Sequence, residues 1–132
     1  MDLQKFSEEK FDELLRIHRE LCLIPAPSNF EDERAKYILK YLKDAGIDNA
    51  YIDKAKNVIC TMGEPSEKIV VFMAHTDTVF PMETPLNYID DGEKIHCAGA
   101  GDDTGSIVGM LTCIKYMAEH NITPKKTLMF VA

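Results

Sequence analysis

The sequence has no long apolar run, no excess of basic side chains and no closely paired cysteines. A membrane-spanning helix needs about 18 or more consecutive apolar residues, and no run in this chain approaches that length. The 15 lysines and arginines are outnumbered by 22 aspartates and glutamates, which gives a formal net charge of −7. Because nucleic acids and anionic membranes bind basic surfaces, neither is expected as the main partner.

The four cysteines are spread along the chain and form no C-x-x-C motif: Cys22, Cys60, Cys97 and Cys113. The N-terminal residues are polar and contain no apolar leader that would mark export to an oxidising compartment. We therefore expect a cytoplasmic protein with small buried thiols, Cys22 and Cys113 lying on the apolar faces of predicted helices. A metal site at Cys60 and the His96-Cys97 pair is the alternative, but a lone His-Cys pair indicates a metal only weakly.

Three segments have the apolar periodicity of helices. The chain of 132 residues, 45% of them apolar, is long enough for one domain. The first helix is predicted over residues 7–23. The second follows the capping-box sequence Ser28-Asn29-Phe30-Glu31 and ends at Gly46. The third is predicted over residues 104–119.

Two uninterrupted apolar runs, Ile69–Ala74 and Thr127–Ala132, are typical of strands buried on both faces of a parallel sheet. Short strands are predicted at residues 50–52 and 57–62, and Asp90-Asp91-Gly92 predicts a hairpin turn. The third predicted helix connects the two apolar strands, which makes a βαβ unit. The sequence therefore predicts an α/β fold, with three α/β/α layers and a mostly parallel sheet.

The first candidate site follows the strand that ends at Ala74. His75-Thr76-Asp77 stands at the carboxyl end of that strand, where open α/β sheets bind ligands. In an extended chain residues 75 and 77 point to the same side, so Asp77 would accept one ring N–H of His75 and leave its other nitrogen for a metal. The alternative is a histidine that only hydrogen-bonds its neighbour.

The second candidate site is the segment Gly99–Gly105, which contains Asp102-Asp103. Adjacent carboxylates between glycines, directly before an apolar helix, favour a bound divalent cation. A plain helix N-terminus explains Asp103 but not Asp102. Two carboxylates would repel a phosphate, which excludes a nucleotide-binding loop. The triplet that starts at Asp103 is also found in aspartic proteases, but here it opens a helix and that interpretation is disfavoured.

Together these motifs resemble a known family. His75-Thr76-Asp77-Thr78-Val79, followed by Gly99–Gly105 with its Asp-Asp pair, is similar to the di-zinc exopeptidase and deacylase family. That family includes peptidase T, aminoacylase-1, carboxypeptidase G, acetylornithine deacetylase and succinyl-diaminopimelate desuccinylase. The resemblance extends over all 132 residues. It implies a zinc-exopeptidase-like α/β fold.

The resemblance also implies roles for five residues. His75 matches a histidine that ligates the first zinc, and Asp77 matches the catalytic acid residue behind it, which orients that ligand. Asp102 matches the carboxylate that bridges two zinc ions, and Asp103 the residue after it, often joined through a cis peptide. Thr104 stands where many members carry lysine, which leaves the charge around the site open.

The implied activity is hydrolysis of an amide bond in small peptides or N-acyl amino acids. The implied cofactor is zinc, two ions in the complete site, with cobalt or manganese as other divalent candidates. In the family a glutamate pair follows the strand that matches Thr127–Ala132, and further ligands and a lid domain follow later. We therefore expect residues 1–132 to be the N-terminal part of a catalytic domain, truncated after this strand, without the lid or dimerisation domain and the C-terminal part.

Such a chain is expected to bind zinc weakly and to be inactive alone. Two alternatives remain: a non-catalytic remnant or subunit that pairs with a complementing chain, and a structural domain whose acidic loop binds no metal. A sheet that stops at this strand would leave an unpaired edge, so association into a homo-oligomer is a further expectation.

Overall fold

A computed structural model describes residues 3–132, so part of the polar N-terminal segment, residues 1 and 2, lies outside the described residues. An irregular helical turn, Ala100–Gly105, precedes the last helix. The helices are α1 (Leu3–Cys22), α2 (Asp32–Asp44) and α3 (Ser106–Glu119). The strands are β1 (Tyr51–Ile52), β2 (Val58–Met62), β3 (Ile69–Met73), β4 (Ile89–Asp90), β5 (Ile95–His96) and β6 (Thr127–Val131).

Four strands form one sheet in the order β1-β2-β6-β3, and β4 pairs with β5 as the expected hairpin. β3 and β6 are parallel, with Ile69 opposite Thr127 and Met73 opposite Val131. Because α3 connects these two strands, the predicted βαβ unit and the α/β class are confirmed. β2 runs antiparallel to both β1 and β6. The sheet in the described residues is therefore mixed, where a mostly parallel sheet was expected.

The core lies on one face of the sheet. Val58 and Cys60 of β2 and Phe130 of β6 are buried on this face, while Ile59 and Met129 on the opposite face are only half-buried. All three helices pack against the first face, with these buried side chains: Ile17, Leu21, Ile38, Leu42, Ile107, Leu111 and Ile114. Residues 3–132 thus form two layers, and the second helical layer of the expected three is not among them.

β3 was expected to be buried on both faces, and this prediction is wrong for the described chain. All five of its residues are exposed, from 40% for Val70 to 74% for Met73. The reason is its position at the edge of the sheet, where it has β6 on one side and no strand on the other among residues 3–132. On the covered side Phe72 stacks on Phe130, with ring centroids 5.3 Å apart. Association through this edge stays a prediction.

The predicted capping box before α2 is also wrong. α2 begins at Asp32 after Glu31, and no side chain caps it. The Ser28 hydroxyl donates instead to Asp77, a residue from another segment. The end of the helix is as predicted: Gly46 has φ +82°, and its N–H donates to the carbonyl of Lys43.

The thiols of Cys22 and Cys60 are buried as expected, and burial raises their pKa values to about 12 and about 11. Cys113 is exposed, which contradicts the prediction. It lies on the side of α3 that faces the uncovered strand β3, beside Phe72 and Met73. α3 is apolar around most of its circumference, so its sequence did not distinguish the covered side from the open one.

Two further features of residues 3–132 bear on the sequence predictions. No helix in this range is long and apolar enough to cross a membrane. His96 forms no metal cluster with the cysteines in this range and lies instead 3.0 Å from a carboxylate oxygen of Asp91, within its own hairpin.

The placement of the core can be tested at Leu21 of α1, which is 0% exposed. Leu23, just beyond the end of α1, is 42% exposed. Leu21→Ala should lower the free energy of unfolding by about 3 kcal/mol, because it removes buried apolar surface and leaves a cavity. Leu23→Ala, the matched control, should lower it by less than about 1 kcal/mol. Urea unfolding followed by circular dichroism measures both. Equal losses would contradict the placement of the core.

A second prediction concerns Glu13, which joins α1 to α3. Lys115 donates to its carboxylate, and Lys10 lies 3.7 Å away. Burial alone would raise the pKa of Glu13, but the hydrogen bond from Lys115 and the two positive charges outweigh it, so the pKa lies below its ordinary value.

Because the folded state lowers this pKa, the stabilisation is present above the unfolded-state pKa of about 4.3 and is lost as the pH falls through the folded-state value. Glu13→Gln should therefore lower stability by about 1 kcal/mol at pH 7 and by almost nothing near pH 3. Glu33→Gln, in an exposed pair with Lys36, should change little at either pH. A loss for Glu13→Gln that does not depend on pH would contradict this interpretation.

Candidate metal centre

The site begins where β3 ends. The N–H of Ala74 still donates to the carbonyl of Val131 in β6, and His75 is the next residue. Its Nδ1 lies 3.1 Å from Oδ1 of Asp77 and 3.0 Å from the Asp77 carbonyl oxygen. The expected contact between residues 75 and 77 is therefore present. It holds the imidazole in one orientation, with Nε2 pointing away from the strand.

The loop before α3 comes to the same place. Nε2 of His75 lies 2.8 Å from Oδ1 of Asp102, so the two motifs that stand 27 positions apart in the sequence meet in space. The Asp102 side chain is 92% exposed. The peptide bond between Asp102 and Asp103 is cis, as the family resemblance implies. A histidine nitrogen and an exposed carboxylate oxygen thus face one another at the surface.

The electrostatics follow from this contact. The hydrogen bond to Asp102 raises the pKa of His75, and the carbonyl and carboxylate of Asp77 act in the same direction. The hydrogen bond from Ser28 holds the pKa of Asp77 below its usual range, with a further contribution from His75. Asp77 is therefore ionised at neutral pH and stabilises a proton on Nδ1 of His75. The nitrogen that remains for a ligand is Nε2.

Asp103 and Thr104 are placed differently. Asp103 is half-buried and lines a cavity of about 410 Å³ together with His75, Asp77 and Lys56. Thr104 is fully buried, and its hydroxyl donates to the carbonyl of Gly99 at 2.7 Å. Thr104 therefore closes the loop that carries Asp102, and it does not point at the His75–Asp102 contact.

Two residues at the site were missed from the sequence. Ser28 was interpreted as a helix cap, and nothing local signals its bond to Asp77. Arg34 is buried in α2 and donates to the Thr76 carbonyl and the Thr104 hydroxyl. The sequence did contain a sign that Arg34 is buried, because position 34 lies four residues before Ile38, on the side of α2 that faces the core.

The remaining histidines add no ligand to His75 and Asp102. His18 is half-buried, with Nδ1 3.0 Å from the Tyr88 hydroxyl oxygen and Nε2 2.8 Å from the carbonyl oxygen of Ala100. His120 bonds within its own helix, with Nδ1 2.9 Å from the Tyr116 carbonyl. Accordingly, residues 3–132 contain no group of three or more histidine, cysteine or acidic side chains arranged around one metal position.

Comparison with known proteins identifies the family. Residues 57–132, more than half of the chain, match peptidase family M28. The chain belongs to this family. Among curated relatives, a putative [LysW]-lysine/[LysW]-ornithine hydrolase from Pyrobaculum aerophilum is 36% identical over 103 residues, which are 78% of this chain and 27% of the relative.

Solved structures agree with this assignment. The aminopeptidase PepT from Bacillus cereus superimposes with a TM-score of 0.72 and 26% identity, over 91% of this chain and 35% of that chain. A dinuclear metal-binding peptidase of the M20 family, YXEP from Bacillus subtilis, shares the fold with a TM-score of 0.67 and 20% identity, over 94% of this chain and 35% of that chain. The expected resemblance to metal-dependent exopeptidases is therefore confirmed.

The chain spans about a quarter of the length of the curated relative, at 27%, and about a third of each solved structure, at 35%. The part that matches the family, residues 57–132, includes β3, the loop before α3 and β6, and therefore both His75 and Asp102.

A prediction at Gly99 tests how tightly the two motifs are packed. Gly99 has φ +74°, and a β-carbon there would lie 2.6 Å from Cγ2 of Thr78. Gly92 in the hairpin has a similar φ of +89° but open space around it. Gly99→Ala should therefore lower the free energy of unfolding by about 2 kcal/mol more than Gly92→Ala, the matched control for backbone strain. Equal effects in thermal or urea unfolding would contradict the close packing of Gly99 on Thr78.

Proposed function

We propose that this chain contributes part of the metal centre of a hydrolase that cleaves amide bonds in small peptides or N-acyl amino acids. The observation that carries this proposal is His75, which lies between Asp77 and Asp102 with one ring nitrogen directed at each. In this arrangement a carboxylate fixes the tautomer of a metal-binding histidine. The membership of peptidase family M28 supports the reaction class.

Each residue has a proposed role. His75 and Asp102 are the metal ligands, through Nε2 and a carboxylate oxygen. Asp77 is the catalytic acidic residue behind His75. Its carboxylate accepts a hydrogen bond from Nδ1–H of His75, which leaves the Nε2 lone pair for a cation, and it accepts a second hydrogen bond from the Ser28 hydroxyl. Asp103 lies in the adjoining cavity, and Thr104 supports the loop from within the protein.

The donor set suits zinc, which binds imidazole nitrogen and carboxylate oxygen, and cobalt or manganese are further candidates. When bound, such an ion polarises a scissile carbonyl and lowers the pKa of a bound water. Two ions are proposed for the complete site, with Asp102 as the shared ligand. The dinuclear metal-binding peptidase of similar fold supports this number.

Two protein ligands are fewer than the three that a catalytic zinc ordinarily takes from the protein. The 132 residues alone are therefore proposed to bind zinc weakly and to hydrolyse nothing. A second candidate function is a non-catalytic subunit that is completed by another chain. It is favoured by one observation, the exposed apolar edge of β3 next to His75. A cytoplasmic location is also proposed, supported by four unpaired thiols.

Titration with zinc tests the metal centre. Asp102→Asn and His75→Ala should each weaken zinc binding at least tenfold in calorimetry, because each removes one of two ligands. His96→Ala is the matched control, since His96 also pairs with an aspartate at 3.0 Å but lies in the hairpin. It should bind zinc as the unchanged protein does. Zinc binding that survives Asp102→Asn would contradict the proposed centre.

Activity assays test the second part of the proposal. Dipeptides, tripeptides and N-acyl amino acids are incubated with the 132-residue chain and added zinc, and no turnover is expected because ligands are missing. Turnover that disappears in His75→Ala would show that the chain is sufficient for catalysis and would overturn this part.

A further inference from the structure

Arg34 is the feature of the site that the proposed metal ligands do not explain. It lies in the first turn of α2, and its side chain is 1% exposed. Its Nε donates to the carbonyl of Ile24 at 3.0 Å, and its Nη1 donates to the carbonyl of Thr76 at 3.0 Å and to the hydroxyl oxygen of Thr104 at 3.3 Å. A single guanidinium group therefore contacts three separate segments of the chain.

Those three segments are the ones that carry the candidate site. Thr76 stands between His75 and Asp77, and Thr104 is the second residue after Asp102. Ile24 begins the connection that leads to Ser28, the hydrogen-bond partner of Asp77. A second hydrogen bond joins this connection to the segment after β3: the N–H of Thr78 donates to the carbonyl of Ala26 at 2.7 Å.

The position of Nη1 determines how far apart the two ligand-bearing segments lie. This one nitrogen donates to Thr76 and to Thr104, so the distance between their backbones is limited by two hydrogen bonds. The bond from Nε to Ile24 prevents the planar group from rotating. On the exposed side of the same two segments, Nε2 of His75 lies 2.8 Å from Asp102.

Packing alone does not account for a charged group here. Among the described residues no carboxylate lies within ion-pair distance of Arg34, and burial lowers the pKa of its guanidinium. Removing a cation from water costs several kcal/mol, and here hydrogen bonds to three neutral oxygen atoms offset that cost. An apolar side chain would fill the volume without this cost, but it would leave the Ile24 and Thr76 carbonyls without their donor.

We propose that Arg34 is a positioning residue of the metal centre, which holds the His75 segment and the Asp102 segment at the separation that metal binding requires. This inference rests on the proposed function for its ligand, a divalent cation such as zinc. It assigns to Arg34 an effect on metal affinity although Arg34 touches neither ligand. Loss of a group that hydrogen-bonds a metal ligand directly typically lowers metal affinity 10- to 100-fold, and a loss at the lower end of this range is expected for Arg34, which acts through the neighbouring residues.

Zinc calorimetry on Arg34→Met and Arg34→Lys tests the proposal. Arg34→Met should bind zinc at least tenfold more weakly than the unchanged chain. Arg34→Lys keeps the charge but cannot donate to all three segments with one ammonium group, so a loss of at least threefold is expected. Leu21→Ala is the control for reduced stability, since Leu21 lies in the core of the same fold. It should bind zinc normally under conditions in which all variants are folded.

A second measurement needs no metal. The ¹⁵N resonances of the His75 ring, recorded at one fixed pH in the metal-free protein, report the contact with Asp102. Their chemical shifts should change in Arg34→Met and Arg34→Lys and should be unchanged in Leu21→Ala. If Arg34→Met does not fold, the results for Arg34→Lys alone test the positioning role of Arg34.

The outcomes separate the two proposals. Absence of zinc binding by the unchanged chain would overturn the proposed metal centre, while the His75 resonances would still test the positioning role. Unmoved resonances together with unchanged zinc affinity in Arg34→Lys would overturn the role of Arg34. A loss of affinity that is as large in Leu21→Ala would also overturn it, because the effect would then be one of stability.

Discussion

The parallel pairing of β3 with β6 is the constraint from which the position of the site follows. A chain that leaves the carboxyl end of β3 and must enter β6 in the same direction has to travel back along the sheet. α3 makes this return, so it begins near the end at which β3 finishes. The residues before α3 therefore lie beside the residues after β3. This topology brings the segment of Asp102 beside that of His75, although 27 positions separate the two residues.

The charges at this end of the sheet need compensation from the protein. Asp77, Asp102 and Asp103 lie together, and the described chain supplies a hydrogen bond from Ser28, the ring of His75 and the buried guanidinium of Arg34. Asp102 remains exposed despite these partners. An imidazole nitrogen and a carboxylate oxygen that face one another at the surface are a donor pair that a divalent cation can bind in place of the proton between them. Under the proposed function, part of the formal charge of −7 is directed at a metal ion.

The sequence predicted the elements whose signals are local. The apolar runs located β3 and β6, the periodicity located three helices, and the His-x-Asp spacing predicted the contact between His75 and Asp77. It did not predict which surfaces are covered, because the exposure of β3 and of Cys113 depends on the order of strands in the sheet. It also missed the bond from Ser28 to Asp77, which spans 49 positions. Side-chain bonds between distant segments leave no periodic pattern.

Within residues 3–132, β3 has a neighbouring strand on one side only, so the position of the His75 ring depends on further contacts. Pairing with β6 fixes the strand as far as Ala74, and the contact with Asp77 fixes the ring. Between them stands Thr76, whose carbonyl accepts from Arg34. A site built on an edge strand therefore depends on a helix residue below it as much as on the sheet. Arg34 thus links α2 to the backbone beyond the last hydrogen bond between β3 and β6.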